Sequence, residues 1–444
     1  MKTTTGFLRS TGAIATIILA PVFLPSLPAE ASFTDGPKAV LDEAWQIVYR
    51  EYVDNSFNRT DWIEVRQELL GQSYTSRQAA YGELRRALRR LDDPYTRFLS
   101  PNQYSELTDQ TSGEVSGVGL RLRRDRAVGT IVVTDVLRDS PAAAAGLDVG
   151  DRILMIDGRS TDFMSSESAS QLLRGEADTQ VTLSIEKDSA GASETIVMSR
   201  ARLEVQTVTA KLEVKDGISV GYIRLDEFSA HAAEQMESAI ADLTREGAEA
   251  FVLDLRDNPG GLLQASIDIS RMWLRRGPIV RTVDRSGDTE QISANRTHLT
   301  ELPMAILVNG ESASSSEILT GALGDNDRAI VVGSTTFGKA LVQALHGLSD
   351  GSGIAVTVAH YYTPNGTDIS KRGITPDIQV ELSSDQRSNL ANNPDLVGTA
   401  NDPQFSEAVS ALATEVASVR QRRRLTTTST VTPTPQLGRL TPLQ

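Results

Sequence analysis

Ile306-Leu307-Val308-Asn309-Gly310-Glu311-Ser312-Ala313-Ser314-Ser315-Ser316-Glu317-Ile318-Leu319, with Gly333-Ser334-Thr335-Thr336-Phe337-Gly338-Lys339 downstream, is the most informative part of this chain. The compact apolar run Ile306-Leu307-Val308 reads as a buried strand, Asn309-Gly310 as a turn, and the segment from Ser312 as the start of a helix. A second strand-like run, 329–332, feeds the glycine-bounded loop that carries Lys339. Small hydroxyl residues at a strand-to-helix junction, followed by one lysine in such a loop, suggest a nucleophile and a base. A serine hydroxyl is inert near neutral pH unless a neighbour takes its proton. A lysine kept neutral by burial does that, and Ser-Lys pairs are a known variant of the Ser-His-Asp arrangement. A free lysine has pKa ~10.4, so only about one in a few thousand carries the neutral amine at pH 7. Burial therefore has to lower that value substantially.

Outward from this stretch, strands and helices interleave. Residues 218–225 and 250–255 read as strands, and 232–243 and 262–273 as helices, an alternation that argues for an α/β fold with helices covering a sheet. Between the last two lies Asp254-Leu255-Arg256-Asp257-Asn258-Pro259-Gly260-Gly261. Glycines let the backbone approach a substrate and aim N–H groups at a developing oxyanion. One donor is expected at Gly260 or Gly261 and the second at the Ser315 N–H.

At 444 residues the chain is ample for two or three domains, and 39% hydrophobic with 23% charged residues describes an ordinary globular protein. A net charge of −14 argues against a nucleic-acid partner, and the absence of cysteine excludes disulfides and thiol catalysis. Lys2 and Arg9 precede an apolar run over 14–24, and Ala29-Glu30-Ala31 is a small-x-small cleavage site, so 1–31 is expected to be a secretory signal peptide. The protein is expected to be exported. Residues 32–103 should form an N-terminal helical domain, with Trp45, Tyr49 and Tyr52 packed between helices and no residue bearing chemistry. Residues 391–444 are expected to be a tail, rich in Thr and Pro at its end and disordered there, with Arg420, Arg422, Arg423 and Arg424 on a solvated face.

Residues 104–202 form a different unit, with Gly117-Val118-Gly119-Leu120 ahead of alternating β runs, Ser140-Pro141-Ala142-Ala143-Ala144-Ala145-Gly146-Leu147, Gly150-Asp151-Arg152-Ile153 and a helix over 167–173. It resembles a circularly permuted bacterial PDZ domain. Backbone N–H groups of Gly117, Val118, Gly119 and Leu120 are suited to a peptide's terminal carboxylate, and the neighbouring strand edge to an extended chain. Asp178 stands where many relatives place a glycine.

Asn309 through Ile318, together with Phe337-Gly338-Lys339, resemble the signature of the carboxyl-terminal processing proteases, the tail-specific serine peptidases, over about residues 36–380. Ser315 replaces a usual alanine and Ala340 a common glycine. The resemblance, of cyanobacterial type, implies Ser314 as nucleophile, Lys339 as base and Gln343 as the residue orienting the lysine. It also implies a crotonase-like, Clp-type α/β peptidase core, here 203–390, with an inserted PDZ domain. By the residues alone, three consecutive serines leave Ser316 open.

Two decoys are weighed against this. The 333–339 loop satisfies most of a phosphate-loop pattern, but Ala340 stands where a magnesium-binding Ser or Thr is needed. Ser184 and Lys187 match Ser-x-x-Lys, yet positions three apart on a strand face opposite sides. The four histidines, His231, His298, His346 and His360, show no metal-ligand spacing, and no Gly-x-Ser-x-Gly elbow is present. The expectation is an exported Ser/Lys endopeptidase of the thylakoid lumen or periplasm, needing no cofactor, metal or nucleic acid. It would act on proteins with free C-terminal tails, membrane proteins among them. The resemblance points to the precursor of a photosystem II reaction-centre subunit as one substrate. The alternatives are a periplasmic tail-specific quality-control protease and a non-catalytic PDZ adaptor.

Overall fold

The computed structural model describes residues 36–125, 129–188 and 193–429. The leader expected over 1–31 and the chain from 430 lie outside these residues. Among the described residues no helix is long and apolar enough to cross a membrane.

Helical periodicity near the N-terminus yields α1 (Pro37–Glu51), α2 (Trp62–Gly71) and α3 (Arg77–Leu88). Leu41, Ala44 and Val48 meet Val65, Leu69 and Leu84 in one core. The indole N–H groups of Trp45 and Trp62 donate to each other's backbone carbonyls at 2.6 and 3.3 Å, so two large rings are buried without an orphaned donor. The chain then leaves the helices as β1 (Arg97–Leu99), which joins a sheet of the α/β core, and continues into α4 (Pro101–Ser112).

The inserted domain begins with β2 (Glu114–Gly117), β3 (Leu120–Arg124), β4 (Ile131–Val136) and α5 (Pro141–Ala144). It continues through β5 (Arg152–Ile156), β6 (Arg159–Ser160), α6 (Ser166–Leu173), β7 (Gln180–Glu186) and β8 (Ser193–Ser199). Its sheet runs β3-β4-β5-β7-β8, with β6 on β5. Inward positions of that alternation, such as Ile131, Val133, Val181, Leu183 and Ile185, are fully buried. β9 (Ala201–Glu204) pairs with β2 as a two-stranded ribbon through which the domain joins the rest of the chain.

The core contains two sheets. The first collects β10 (Val208–Lys215), β11 (Ile218–Leu225), β12 (Ala250–Asp254), β15 (Met304–Val308), β16 (Ile330–Gly333) and β19 (Ile378–Gln379), in that order. β10 pairs antiparallel with β11, and every later pair is parallel. β12 and β15 are buried at every position, which is why both read as unbroken apolar runs rather than alternations. α7 (Ala232–Glu246), α8 (Leu263–Trp273) and α9 (Ser315–Asp325) share one core with this sheet. Residues of β13 (Pro278–Asp284) and β18 (Gly353–Tyr362) complete it. In the second sheet β18 pairs with β1, with β13 and with β17 (Leu341–Gly347), and β13 pairs with β14 (Thr289–Ser293).

The C-terminal part departs from the expected tail. After α10 (Ser384–Asn392), residues from Pro403 form α11 (Pro403–Ser429), which covers the other face of the first sheet. Phe405, Ala408, Val409, Leu412 and Val416 recur at helical spacing and are buried against it. Arg420 stays partly solvated, as expected, and pairs there with Glu249 at 2.6 Å. The N-terminus of α11 is held by a buried ionic cluster. Arg256 reaches Asp254 at 2.6 Å, Asp402 at 2.7 Å and Gln404 Oε1 at 2.9 Å, while the Tyr222 hydroxyl donates to Asp254 at 2.6 Å. Burial pushes the Asp254 carboxyl up, but Arg256 and Arg224 outweigh it and hold the group below its ordinary value.

Breaking a buried pair by deleting one partner leaves an uncompensated charge, at a cost of about 3–5 kcal/mol. Asp402→Ala should therefore lower unfolding free energy by that order in urea titrations. An unchanged midpoint would mean that the cluster does not hold α11 in place.

Candidate active site

Three loops meet at the C-terminal edge of the parallel strands, where open α/β sheets place their sites. Asp257 to Gly261 follows β12, Asn309 to Ser314 follows β15, and Ser334 to Lys339 follows β16. Asn258, fully buried, ties the first two together. Its Nδ2 donates to Leu225 O at 2.8 Å, its Oδ1 accepts from Gly260 N at 2.8 Å, and its carbonyl accepts from Ala313 N at 3.0 Å.

The serines separate by environment. Ser312 Oγ donates to Leu255 O at 2.8 Å, Ser315 Oγ to Gly261 O at 3.0 Å and Ser316 Oγ to Asn258 O at 2.9 Å, and all three residues are buried. Ser314 alone of Ser312, Ser314, Ser315 and Ser316 is partly exposed. Its backbone stands at φ 55°, ψ −114°, a conformation rarely adopted by a residue with a side chain, at the junction of β15 and α9. The Ser315 substitution thus adds a hydroxyl that fastens the helix start to the glycine strand.

Gly260 (φ 107°) lies so close to this turn that a Cβ on it would meet Ala313 O at 2.8 Å and Ser314 Cβ at 2.9 Å. Its N–H is already taken by Asn258. The N–H groups of Gly261 and Ser315 have no acceptor among the described residues. Of the two glycines, Gly261 is therefore the one with a donor to offer.

Glu317 joins the serine turn to the lysine loop. Its Oε2 accepts from Ser314 N at 3.0 Å and Lys339 N at 2.9 Å; its Oε1 accepts from Thr336 Oγ1 and Gly338 N, each at 2.6 Å. Burial pushes this carboxyl up, and the four donors hold it back. On the carbonyl side the Tyr361 hydroxyl contacts Ser314 O at 3.1 Å and also Lys339 O. Gly338 (φ 87°) lets the lysine loop pass against Ile369 and Gly373, where a Cβ would lie 2.8 Å from the Gly373 N atom.

The Lys339 ammonium lies 5.0 Å from the centroid of the Tyr95 ring and makes no hydrogen bond to Ser314 Oγ. Burial lowers its pKa, and the Arg97 charge lowers it further, against Glu317 and Asp93. The expected contact of Gln343 with the lysine is not made. The β17–β18 register slips at Val342, Gln343 faces Thr357, and its Nε2 is buried without a partner. Tyr95, Arg97 and Asp93 belong to the segment expected to carry no chemistry. Nothing in its periodicity marks them, because the contact spans more than half the chain.

The histidines stay outside the site, with His346 on Glu51 at 2.7 Å and His298 beside Glu301 at 3.3 Å. Lys187, the second residue of the Ser-x-x-Lys decoy, pairs with Asp151 at 2.9 Å. In the inserted domain β3 is an edge strand flanked by α6, and the carbonyls of Val118 and Gly119 accept from Ala142 and Leu137 at 2.9 Å each. Those bonds fix the Gly117–Leu120 loop at the start of the β3 edge.

Residues 219–380 match peptidase family S41, and residues 132–187 match the PDZ domain. A carboxyl-terminal-processing protease of Picosynechococcus sp. is 43% identical over 401 residues, covering 90% of this chain and 95% of the relative. The chain belongs to the carboxyl-terminal-processing proteases of family S41. A chloroplastic C-terminal processing peptidase of Tetradesmus obliquus is 38% identical over 370 residues, 80% of this chain and 79% of its own. The solved photosystem II D1 C-terminal processing protease matches with TM-score 0.52 at 35% identity, covering 83% of this chain and 99% of that one. The α/β core, the PDZ domain and the N-terminal helical segment are thus those of a C-terminal processing peptidase that acts on proteins.

Glu317→Gln turns two of the four contacts into donor against donor, so the serine turn and the lysine loop should both shift. Displacements of about 1 Å cost roughly 100-fold in rate. The expected result is a kcat reduced by that order with KM little changed, in steady-state cleavage of a tail peptide. A wild-type kcat would show that the carboxylate is dispensable.

Proposed function

We propose that the protein is an exported serine endopeptidase working through Ser314 and Lys339. The observation that carries this reading is the shared clamp, in which Glu317 binds the backbone N–H of both residues while Ser314 alone of the neighbouring serines keeps exposure. A substrate's C-terminal tail adds to the β3 edge beside α6, its carboxylate on N–H groups of the Gly117, Val118, Gly119 and Leu120 loop. A bond upstream then enters the cleft between the glycine strand and α9.

Lys339, deprotonated and turned from Tyr95, takes the Ser314 proton as Oγ forms a bond to the scissile carbonyl carbon. The oxyanion sits between the N–H groups of Ser315 and Gly261. Collapse breaks the C–N bond, the leaving amine receives the proton from Lys339, and an acyl-enzyme remains. Water then adds to the acyl carbon, giving a proton to Lys339; collapse breaks the ester C–O bond, Lys339 returns the proton to Ser314 Oγ, and the new C-terminus leaves. Gln343 orients the neutral amine as the lysine turns by accepting an amine N–H at its side-chain carbonyl, which leaves the nitrogen lone pair free to take the Ser314 proton. Neither metal nor nucleotide enters a step.

The charged segment, apolar run and Ala29-Glu30-Ala31 support export to the thylakoid lumen or periplasm. The named relatives are cyanobacterial or chloroplastic, and one solved relative is a photosystem II D1 processing protease. The substrate proposed here is accordingly the tail of a photosystem II reaction-centre precursor, presented by a membrane protein. Mass spectrometry of exported protein tails with and without the protease tests that assignment. Tails unchanged in photosystem II but altered on other periplasmic proteins would favour the quality-control reading.

Ser314→Ala should abolish cleavage while leaving tail binding intact, and amidating the peptide's C-terminus should weaken binding. Cleavage retained in Ser314→Ala but lost in Ser316→Ala would move the nucleophile into the helix.

Activity should rise with pH through the lowered lysine pKa, because only the neutral amine accepts a proton. Removing the Arg97 charge relieves repulsion of the ammonium, so Arg97→Ala should move the acid limb of kcat/KM to higher pH. Lys339→Arg should be inactive, since guanidinium is no base in this range. An active arginine variant would rule out the lysine as base.

A further inference from the structure

The lysine is the one member of the site whose reactive atom is not where the backbone clamp directs it. Its ammonium rests on the face of an aromatic ring from the N-terminal domain. That ring is not there by loose packing. Tyr95 N donates to Asp93 Oδ1 at 2.9 Å, and Thr96 Oγ1 donates to Asp93 Oδ2 at 2.7 Å. Thr96 Oγ1 in turn accepts from Thr357 N at 3.0 Å, and Arg97 pairs with Ala355 in the β1–β18 ladder. Thr357 is also the cross-strand neighbour of Gln343. The platform under the amine and the strand that bears the orphaned Gln343 amide are therefore parts of one sheet.

The geometry points to Tyr95 as a positioning residue for the reaction, a ring that holds the protonated Lys339 side chain away from Ser314 and releases it on deprotonation. A ring face attracts an ammonium through its quadrupole and has no such attraction for a neutral amine. Loss of the proton removes the reason for the lysine to stay and frees its lone pair to accept from the Ser314 hydroxyl. The same residue thus couples protonation to position. The groups around the amine act in both directions. Arg97 opposes the charged form; Asp93 and Glu317 favour it. Tyr95 and Tyr361 are the titratable hydroxyls nearby, and burial keeps both neutral by pushing their pKa up. Tyr95 therefore acts on the lysine through its ring.

The inference rests on Lys339 being the base, and the test keeps the two apart. Full-length protein carrying Tyr95→Phe, Tyr95→Leu or Tyr95→Trp is assayed for kcat/KM on a tail peptide against pH, with thermal melting to verify folding. Phenylalanine keeps a ring and should leave the acid limb in place. Leucine keeps the apolar bulk that desolvates the amine but lacks the quadrupole. Its limb should fall by about half a pH unit or more, raising activity on the acid side. Tryptophan, the strongest ring, should move the limb upward. If leucine prevents folding, the comparison of tryptophan with phenylalanine still carries the sign. Limbs that coincide across the folded variants, or a leucine limb that rises, would overturn the role of the ring. Lys339→Met, assayed alongside, addresses the base itself. Cleavage retained there removes Lys339 from the mechanism, whereas a dead Lys339→Met with coincident Tyr95 limbs removes Tyr95 only.

Discussion

A single buried carboxylate holds this site together. Glu317 is fully enclosed, and an unpaired charge there would be prohibitively costly. Four donors from two loops offset that cost. Each donor is itself a backbone or hydroxyl group that burial would otherwise orphan. The arrangement is mutual: the loops satisfy the carboxylate, and the carboxylate fixes the spacing of the Ser314 and Lys339 backbones. Tyr361 repeats the connection on the carbonyl side, so Ser314 and Lys339 are joined through both their N–H and C=O groups.

Fixing the backbones this firmly lets the turn keep an unfavourable conformation. Ser314 at φ 55°, ψ −114° carries a cost of order 1–3 kcal/mol that only surrounding contacts can maintain. Those contacts are Glu317, Tyr361 and the passage of Gly260 within a Cβ's reach of Ser314. The same turn exposes the hydroxyl and leaves the next N–H, that of Ser315, without a helical partner. Strain, exposure and an available donor are thus one structural fact.

Much of this was legible in the sequence, and the reason is local. Ser314, Lys339 and the paired glycines lie beyond strand ends, where apolar runs stop and turn residues begin. The α/β core was legible for the same reason, since β12 and β15 are unbroken apolar runs. What was not legible depends on long-range contact. Tyr95 looks like any aromatic residue after a turn until β1 joins β18. Asp402 and Gln404 look like polar residues ahead of a weak tail until Arg256 is placed beside them. The apolar spacing from Phe405 to Val416 was a readable helix, overlooked because its surroundings are polar. Gln343 shows the opposite limit, a residue whose role the family resemblance implies but whose side-chain Nε2 is buried without a hydrogen-bond partner, opposite Thr357 in the β17–β18 ladder.

The helical N-terminal domain therefore does more than cap the catalytic core. Its helices bury their own aromatic cluster, but the segment that leaves them runs into the second sheet and brings Asp93, Tyr95 and Arg97 to the lysine. These groups oppose one another, two of them favouring the ammonium and one disfavouring it, on top of a burial that disfavours charge. The proposed role as a base needs this kind of balance, because strong stabilisation of either form would leave the lysine permanently charged or unable to hold a proton. With the backbones of Ser314 and Lys339 fixed by Glu317 and Tyr361, the lysine side chain is the element left to respond to that balance. Placing the responding groups on a separate domain means that any movement of β1 against β18 changes the lysine's electrostatic surroundings without disturbing the serine turn.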